Sequence, residues 1–243
     1  MFINEISASL YAWDLADEGI ERILDNLQEM TCCNSVYLIG LMHHEKRPLT
    51  DFFYPHNPVR KTYFPEDSRA YWHPDLEYYK DSSIKPRTSE RDLLKDTDWM
   101  SVLIKAARKR GMKTGVELSH TFLDRERAEG ELADCIQQDI YGTRFGQFIC
   151  VNNPEARRYA TSLFVELVSR YDLDYIQTCL VPYLAGRSPR GASSAAGKVM
   201  GVALGACFCP HCAKAAGEAG LDFEKIKSDL LTLADSIKNP TLA

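Results

Sequence analysis

Apolar residues recur along the 243-residue chain in two alternating rhythms, short continuous runs and longer stripes at helical spacing. Residues 4–12 (NEISASLYA) read as a buried strand, and Ile20, Ile23, Leu24, Leu27 and Met30 then mark one face of a helix. Residues 35–42 (SVYLIGLM) are almost continuously apolar, the pattern of a strand covered on both faces. After a long excursion a second helix carries Trp99, Leu103, Ala106 and Ala107 on one side and stops at Gly111. Residues 113–119 (KTGVELS) form a third strand. The helix after it opens with Asn153 as cap and Pro154 in the first turn. Its stripe is Ala156, Tyr159, Ala160, Leu163, Phe164, Leu167, Val168 and Tyr171. Residues 175–181 (YIQTCLV) make the fourth strand; a loop to about 206, a cysteine cluster and a last helix with Phe223, Ile226, Leu230, Leu233 and Ile237 follow.

Strand-then-helix alternation predicts a parallel sheet, and the excess of loop after each strand over loop before it is the habit of a (β/α) barrel that works at its C-terminal face. A closed barrel takes eight such units, and four are legible. The expected fold is therefore α/β and TIM-barrel-like, a partial or half barrel of about four βα units with long post-strand loops. Its open sheet edges would be covered by a missing C-terminal half or by a second copy in a homo-oligomer. An open doubly wound sheet is the competing architecture, although no glycine-rich phosphate loop follows any strand to make it a nucleotide-binding one. In either case one incomplete domain spans 1–243, with 43–91 inserted as a long loop.

Composition narrows the class. With 45% hydrophobic and 26% charged residues the chain suits an ordinary soluble domain. A net charge of -5 with scattered basic residues excludes nucleic acid as a partner. No run of about 18 apolar residues predicts a membrane span. The N-terminal stretch lacks the basic start and apolar core of a signal peptide. Eight cysteines, two of them adjacent at Cys32 and Cys33, are too sparse for a disulfide scaffold. A cytoplasmic setting is the expectation.

The insertion is rich in chemistry. Phe52, Phe53, Tyr54, Tyr63, Phe64, Tyr71, Trp72, Tyr78 and Tyr79 fall in it, together with His43, His44, His56 and His73. Long, proline-stiffened loops are usually functional, and rings with polar neighbours are how proteins hold sugars. The alternative is that most of these rings form a small core propping the loop. His43 and His44 stand apart because they end the second strand.

Glu117 is the one acid inside an apolar strand, and a buried carboxylate costs several kcal/mol unless it is paired. With His120, and with His43 or His44 from the neighbouring strand, it could form an acid/base pair or a divalent-metal site; a salt bridge to a barrel Arg or Lys is the structural alternative. Asp14 ends the first strand, as a second acid or as a solvated cap of the first helix. Cys207, Cys209, His211 and Cys212 put three thiols and an imidazole in six residues. Cys209 and Cys212 have zinc-finger spacing, with the fourth ligand of a structural zinc coming from afar or from His211. Buried or disulfide-forming thiols, and redox thiols, are the other readings.

The strings YPHNPVRK, YFPED and YWHPD between Tyr54 and Asp75, the RGMK entry to the third strand, CVNNPEARRY before a helix, YDLDYIQ at the fourth strand and the late CFCPHC together resemble the glycosyl-hydrolase-like TIM-barrel family, mostly uncharacterised glycosidase relatives with a late CFCxHC motif. The resemblance spans residues 10–215 and implies a carbohydrate ligand. It also implies a carboxylate late in the fourth strand, where this chain has Gln177, Thr178 and Cys179. Hydrolysis uses two carboxyl groups. The expectation is a glycoside-hydrolase-like protein that acts on or binds a saccharide. The alternatives are a sugar-binding or assembly module that lacks the strand-four acid, and a metal-dependent isomerase or aldolase with His44, Glu117 and His120 as ligands. The candidate catalytic residues are Glu117, His120 and Asp14. The candidate substrate-binding residues are His43, His44, Trp72, Asn152, Gln177 and Tyr183.

Overall fold

The computed structural model describes residues 3–42, 56–179, 201 and 205–238. His43, His44 and Tyr183, the first part of the inserted loop and the end of the predicted fourth strand lie outside the described residues.

Four parallel strands organise the first of two compact units, which comprises Met1–His120 and Arg158–Leu180. They are β1 (Ser7–Leu10), β2 (Ser35–Met42), β5 (Lys113–Leu118) and β8 (Tyr175–Thr178). Their order in the sheet is the order in the chain, as the alternating pattern predicts, with β1 on β2, β2 on β5 and β5 on β8. Two short strands from the insertion, β3 (Arg69–Ala70) and β4 (Arg87–Thr88), extend the sheet beyond the end of β2; β3 runs antiparallel to β2 and β4 parallel to β3. Among the described residues the sheet does not close into a barrel. β2 lies at the centre because its apolar run can be buried on both sides, and Val36 and Leu38 are fully buried. Its Gly40 packs so closely on Val116 of β5 that a Cβ there would collide with the valine side chain.

The helices follow from local signals. Gly19, at φ +83°, splits the first helical stretch into α1 (Ala12–Glu18) and α2 (Ile20–Thr31). α1 was not foreseen; it exists because Ala12, Trp13 and Leu15 all find buried places. In α2 only Ile23 and Leu24 are buried, and Met30, expected on the buried face, is 80% exposed. α3 (Trp99–Arg108) buries Trp99, Leu103, Ala106 and Ala107 as predicted. Asp98 caps it by accepting from the Ser101 amide, and the turn beyond it passes through Gly111 at φ +66°. α5 (Pro154–Arg170) begins where Asn153 Oδ1 accepts from the Glu155 amide at 2.8 Å. Ala156, Tyr159, Leu163 and Leu167 are buried, whereas Val168 is 62% exposed.

The inserted loop carries a core of its own. Tyr63, Tyr71, Trp72 and Tyr79 are all buried, and one carboxylate gathers the segment. Glu166 of α5, fully buried, accepts from Tyr79 Oη at 2.6 Å, the Asp75 amide at 2.7 Å and Trp72 Nε1 at 3.3 Å, and pairs with Arg170 Nη1 at 2.5 Å. A buried carboxylate is tolerated because every lone-pair direction is occupied and a guanidinium balances its charge.

The second unit comprises Thr121–Arg157 and Val181–Ala243. Residues 120–152 carry no periodic signal and read as loop, yet they contain α4 (Arg125–Glu129) and an antiparallel hairpin of β6 (Ile136–Gln138) and β7 (Arg144–Ile149). β6 has only three residues, and the apolar positions of β7 (RFGQFI) do not alternate with polar ones, so neither registers as a strand. α6 (Pro210–Glu218) and α7 (Phe223–Lys238) belong to this unit rather than to a fourth βα repeat. The reason is apolar: Phe223 and Leu230 of α7 pack against a cluster of Ile140, Phe208 and Ala234.

Candidate functional site

Parallel pairing in register places Ser9, Tyr37, Gly115 and Tyr175 in one row across the first unit's sheet, and Ile39, Glu117 and Gln177 in the next row towards the C-terminal edge. Glycine at 115 is required because the Tyr175 ring lies where a Cβ would project. The Tyr175 hydroxyl bonds Ser7 Oγ at 2.9 Å and Ser35 Oγ at 2.8 Å, and its ring meets Tyr37 edge-on at 6.3 Å. Above this polar layer the half-buried Glu117 carboxylate accepts from Gln177 Nε2 at 2.8 Å. Burial raises its pKa, a hydrogen bond with Cys179 opposing the shift in part. A carboxyl held towards its protonated form at a strand end can donate a proton or bind a hydroxyl.

His120 is near in sequence but differently employed. It is buried, its ring meets Phe164 of α5 edge-on at 5.3 Å, and Nδ1 lies 3.5 Å from the Leu118 carbonyl. Burial lowers its pKa. The imidazole therefore faces the helix layer while Glu117 faces Gln177, and the salt bridge to Arg or Lys considered for Glu117 is replaced by a neutral amide.

Asp14 is neither a solvated acid nor a cap; Tyr11 occupies the N-cap position. Asp14 is 5% exposed, accepts from Asn57 Nδ2 at 2.9 Å and lies 3.5 Å from His56 Nε2, with Glu18 Oε1 3.4 Å from the same nitrogen. Burial raises the pKa of both acids. Asp14, Glu18 and His56 line a cleft of about 440 Å³ whose other walls include Leu10, Tyr11 and Ile23. Tyr11 links this cleft to the Glu117 edge. Its hydroxyl is held protonated first by burial, then by the charges of Glu117 and Asp14, and its ring stacks on Trp13 at 4.4 Å.

Two expected substrate contacts have other partners. Trp72 is 1% exposed with its indole N–H on Glu166, so it offers no face to a ligand; burying the ring against the insertion's own core outweighed leaving it as a platform. Asn152 lies in the second unit, donating to Cys212 Sγ at 3.4 Å. There the buried sulfurs of Cys150, Cys207, Cys209 and Cys212 lie within 4.8 Å of one another. His211, in the first turn of α6, is not a member of that group. Hydrogen bonding with Cys150 and Cys207 draws the Cys209 thiol down to about 7, while Cys207 is pushed up in the same network. The cluster could hold a metal. Cys150 was missed because it is a single thiol at the end of a short strand, far in sequence from the others; the glycine-free CVNNP turn into α5 was its only signal.

No family model and no curated protein matches the chain. Solved structures do. The alpha-L-fucosidase isoenzyme 2 from Paenibacillus thiaminolyticus superimposes with a TM-score of 0.55 at 16% identity, over 97% of this chain and 29% of that one. A noncanonic maltogenic alpha-amylase from Thermotoga neapolitana gives 0.45 at 17% identity, over 74% and 40%. The fold is similar to that of the matched part of the fucosidase. The chain spans under a third of the fucosidase's length. Among the described residues no helix is long and apolar enough to cross a membrane.

Proposed function

We propose that the chain is a carbohydrate-active protein of the glycoside-hydrolase type, and that saccharide binds at the C-terminal edge of the parallel strands around Glu117, Gln177 and Tyr11, with Asp14 in the adjoining cleft. The observation that carries this reading is the Glu117 carboxylate, raised in pKa by burial and held by Gln177 at that edge. Likeness of fold to the fucosidase supports it. The same reading takes the sheet as half of an eight-unit barrel, because a parallel sheet ordinarily has both faces covered while Ser9 and Gln177 are exposed. A partner copy or further strands would cover that face. A cytoplasmic setting belongs to the reading too, in keeping with eight cysteines of which none is drawn into a disulfide.

One observation favours a second reading, a module that holds sugar without cutting it. Retaining and inverting hydrolysis place two carboxyl groups roughly 5–10 Å apart, and the residue level with Glu117 on β8 is the amide Gln177. The metal-dependent isomerase is not retained, since His120 packs on Phe164. A glycan panel for binding and aryl glycosides, fucosides included, for turnover separate the readings. Turnover reduced by about 100-fold or more in Glu117→Gln supports hydrolysis with Glu117 as acid or base. Binding without turnover, weakened in Glu117→Ala, supports the module. Neither binding nor turnover overturns both.

A further inference from the structure

Four sulfur atoms in the second unit are closer to one another than apolar packing requires. Sγ of Cys150 lies 3.5 Å from that of Cys212 and 3.5 Å from that of Cys209. All four thiols, Cys207 included, are buried and mutually within 4.8 Å. Four buried thiols that all approach one another this closely supply the donor set of a four-sulfur metal site. Zinc bound by four thiolates has Zn–S bonds of about 2.3 Å, which sets its sulfurs roughly 3.8 Å apart. The two 3.5 Å separations lie close to that value, and none of the others exceeds 4.8 Å.

The surroundings fit the same ion. The Gln138 amide points at Cys207 Sγ at 3.4 Å and Asn152 Nδ2 at Cys212 Sγ at 3.4 Å. N–H donors directed at sulfur offset the negative charge that four thiolates would bring into a buried place, and orient the ligands. The ligand positions are also stiffly built. Cys150 directly follows β7, its amide bonded to the Cys135 carbonyl at 2.7 Å. Cys209 is the N-cap of α6, Pro210 fixes the first helical position, and Cys212 follows in the first turn.

We propose that Cys150, Cys207, Cys209 and Cys212 form a closed, structural site for one Zn²⁺. With four protein sulfurs bound no position is left for water or substrate, so the ion holds structure rather than performing catalysis. On binding, each ligand still protonated loses its S–H proton to solvent as its Zn–S bond forms, up to four protons for four bonds. The metal joins the β6–β7 hairpin to the start of α6 in a unit whose apolar cluster of Ile140, Phe208 and Ala234 is small, and part of that unit's folding free energy comes from it. His211 is not a ligand.

The test uses the full chain purified under reducing conditions with zinc supplied, independently of any saccharide assay. Elemental analysis is expected to find one zinc per chain. Exchange with Co²⁺ should give the intense thiolate-to-cobalt charge-transfer and tetrahedral d–d bands of a four-sulfur site. Stripping with a chelator should release four further thiols to a thiol reagent. His211→Ala should keep its zinc, while Cys150→Ser weakens retention by about tenfold or more. Because Cys150→Ser can also misfold, the cobalt spectrum of the unaltered protein and the His211→Ala result decide independently of it. Metal-free protein, absence of the cobalt bands, recovery of these cysteines as disulfides, or loss of zinc in His211→Ala each overturns the assignment.

Discussion

Glu117 is a side chain placed at a cost to stability. Its pKa is raised in the folded protein, mainly by burial. A raised carboxyl adds stability at pH below its unfolded value, near 4.5, and that contribution is lost as pH rises through the folded value. At neutral pH the charge is therefore a cost to the fold. Glu117→Gln keeps a partner for the Gln177 amide and removes the charge. The variant should melt higher than the parent at pH 7, by a few degrees, and the difference should vanish below about pH 4. A lower midpoint at pH 7 would mean that the ionised carboxylate is stabilising where it stands. Trp72 makes the opposite point at the same scale: its indole is spent on Glu166, so it contributes to packing and not to recognition.

At the scale of elements, caps explain why helices begin where they do. Asp98 Oδ1 takes the Ser101 amide at 2.9 Å while Oδ2 takes the buried Tyr171 hydroxyl at 2.7 Å. One carboxylate thus opens α3 and ties it to the residue following α5. Asp98→Ala should cost about 2 kcal/mol, a cap lost and a hydroxyl left without its acceptor, read as a lower urea midpoint with unchanged slope. Asp98→Asn should recover most of it. Equal losses in both variants would show that charge, not the acceptor geometry, holds the two elements. Caps of this sort are legible in the sequence because cap and amide stand within three residues of each other. The β6–β7 hairpin is not, since its strands are held by pairing across a turn and by the Phe122–Phe148 contact.

For the whole molecule, one buried carboxylate gathers the 71–84 part of the inserted segment, beside the β3–β2 pairing. Glu166 satisfies Tyr79, Trp72 and the Asp75 amide and balances Arg170. Glu166→Ala strands those donors and the guanidinium, and removing one partner of a buried ion pair typically costs about 3–5 kcal/mol. Hydrogen exchange should then lose protection over residues 71–84 well before the strands β2 and β5 do. Uniform loss across both would show that the insertion and the sheet unfold as one cooperative body.

The parallel order of four strands, the full extent of β2, the buried stripe of α3 and the cap of α5 were determined by the sequence itself, because apolar period, capping and glycine at positive φ act over a few neighbouring residues. Which buried groups meet was decided only by tertiary structure. Cys150 reaches Cys207, Cys209 and Cys212, Glu117 reaches Gln177, and Asp14 reaches His56 across separations of dozens of residues. No local pattern encodes such a meeting. Likewise the burial of Trp72 and the exposure of Met30 depend on whether a neighbouring element covers the position, which hydrophobicity along the chain leaves undetermined.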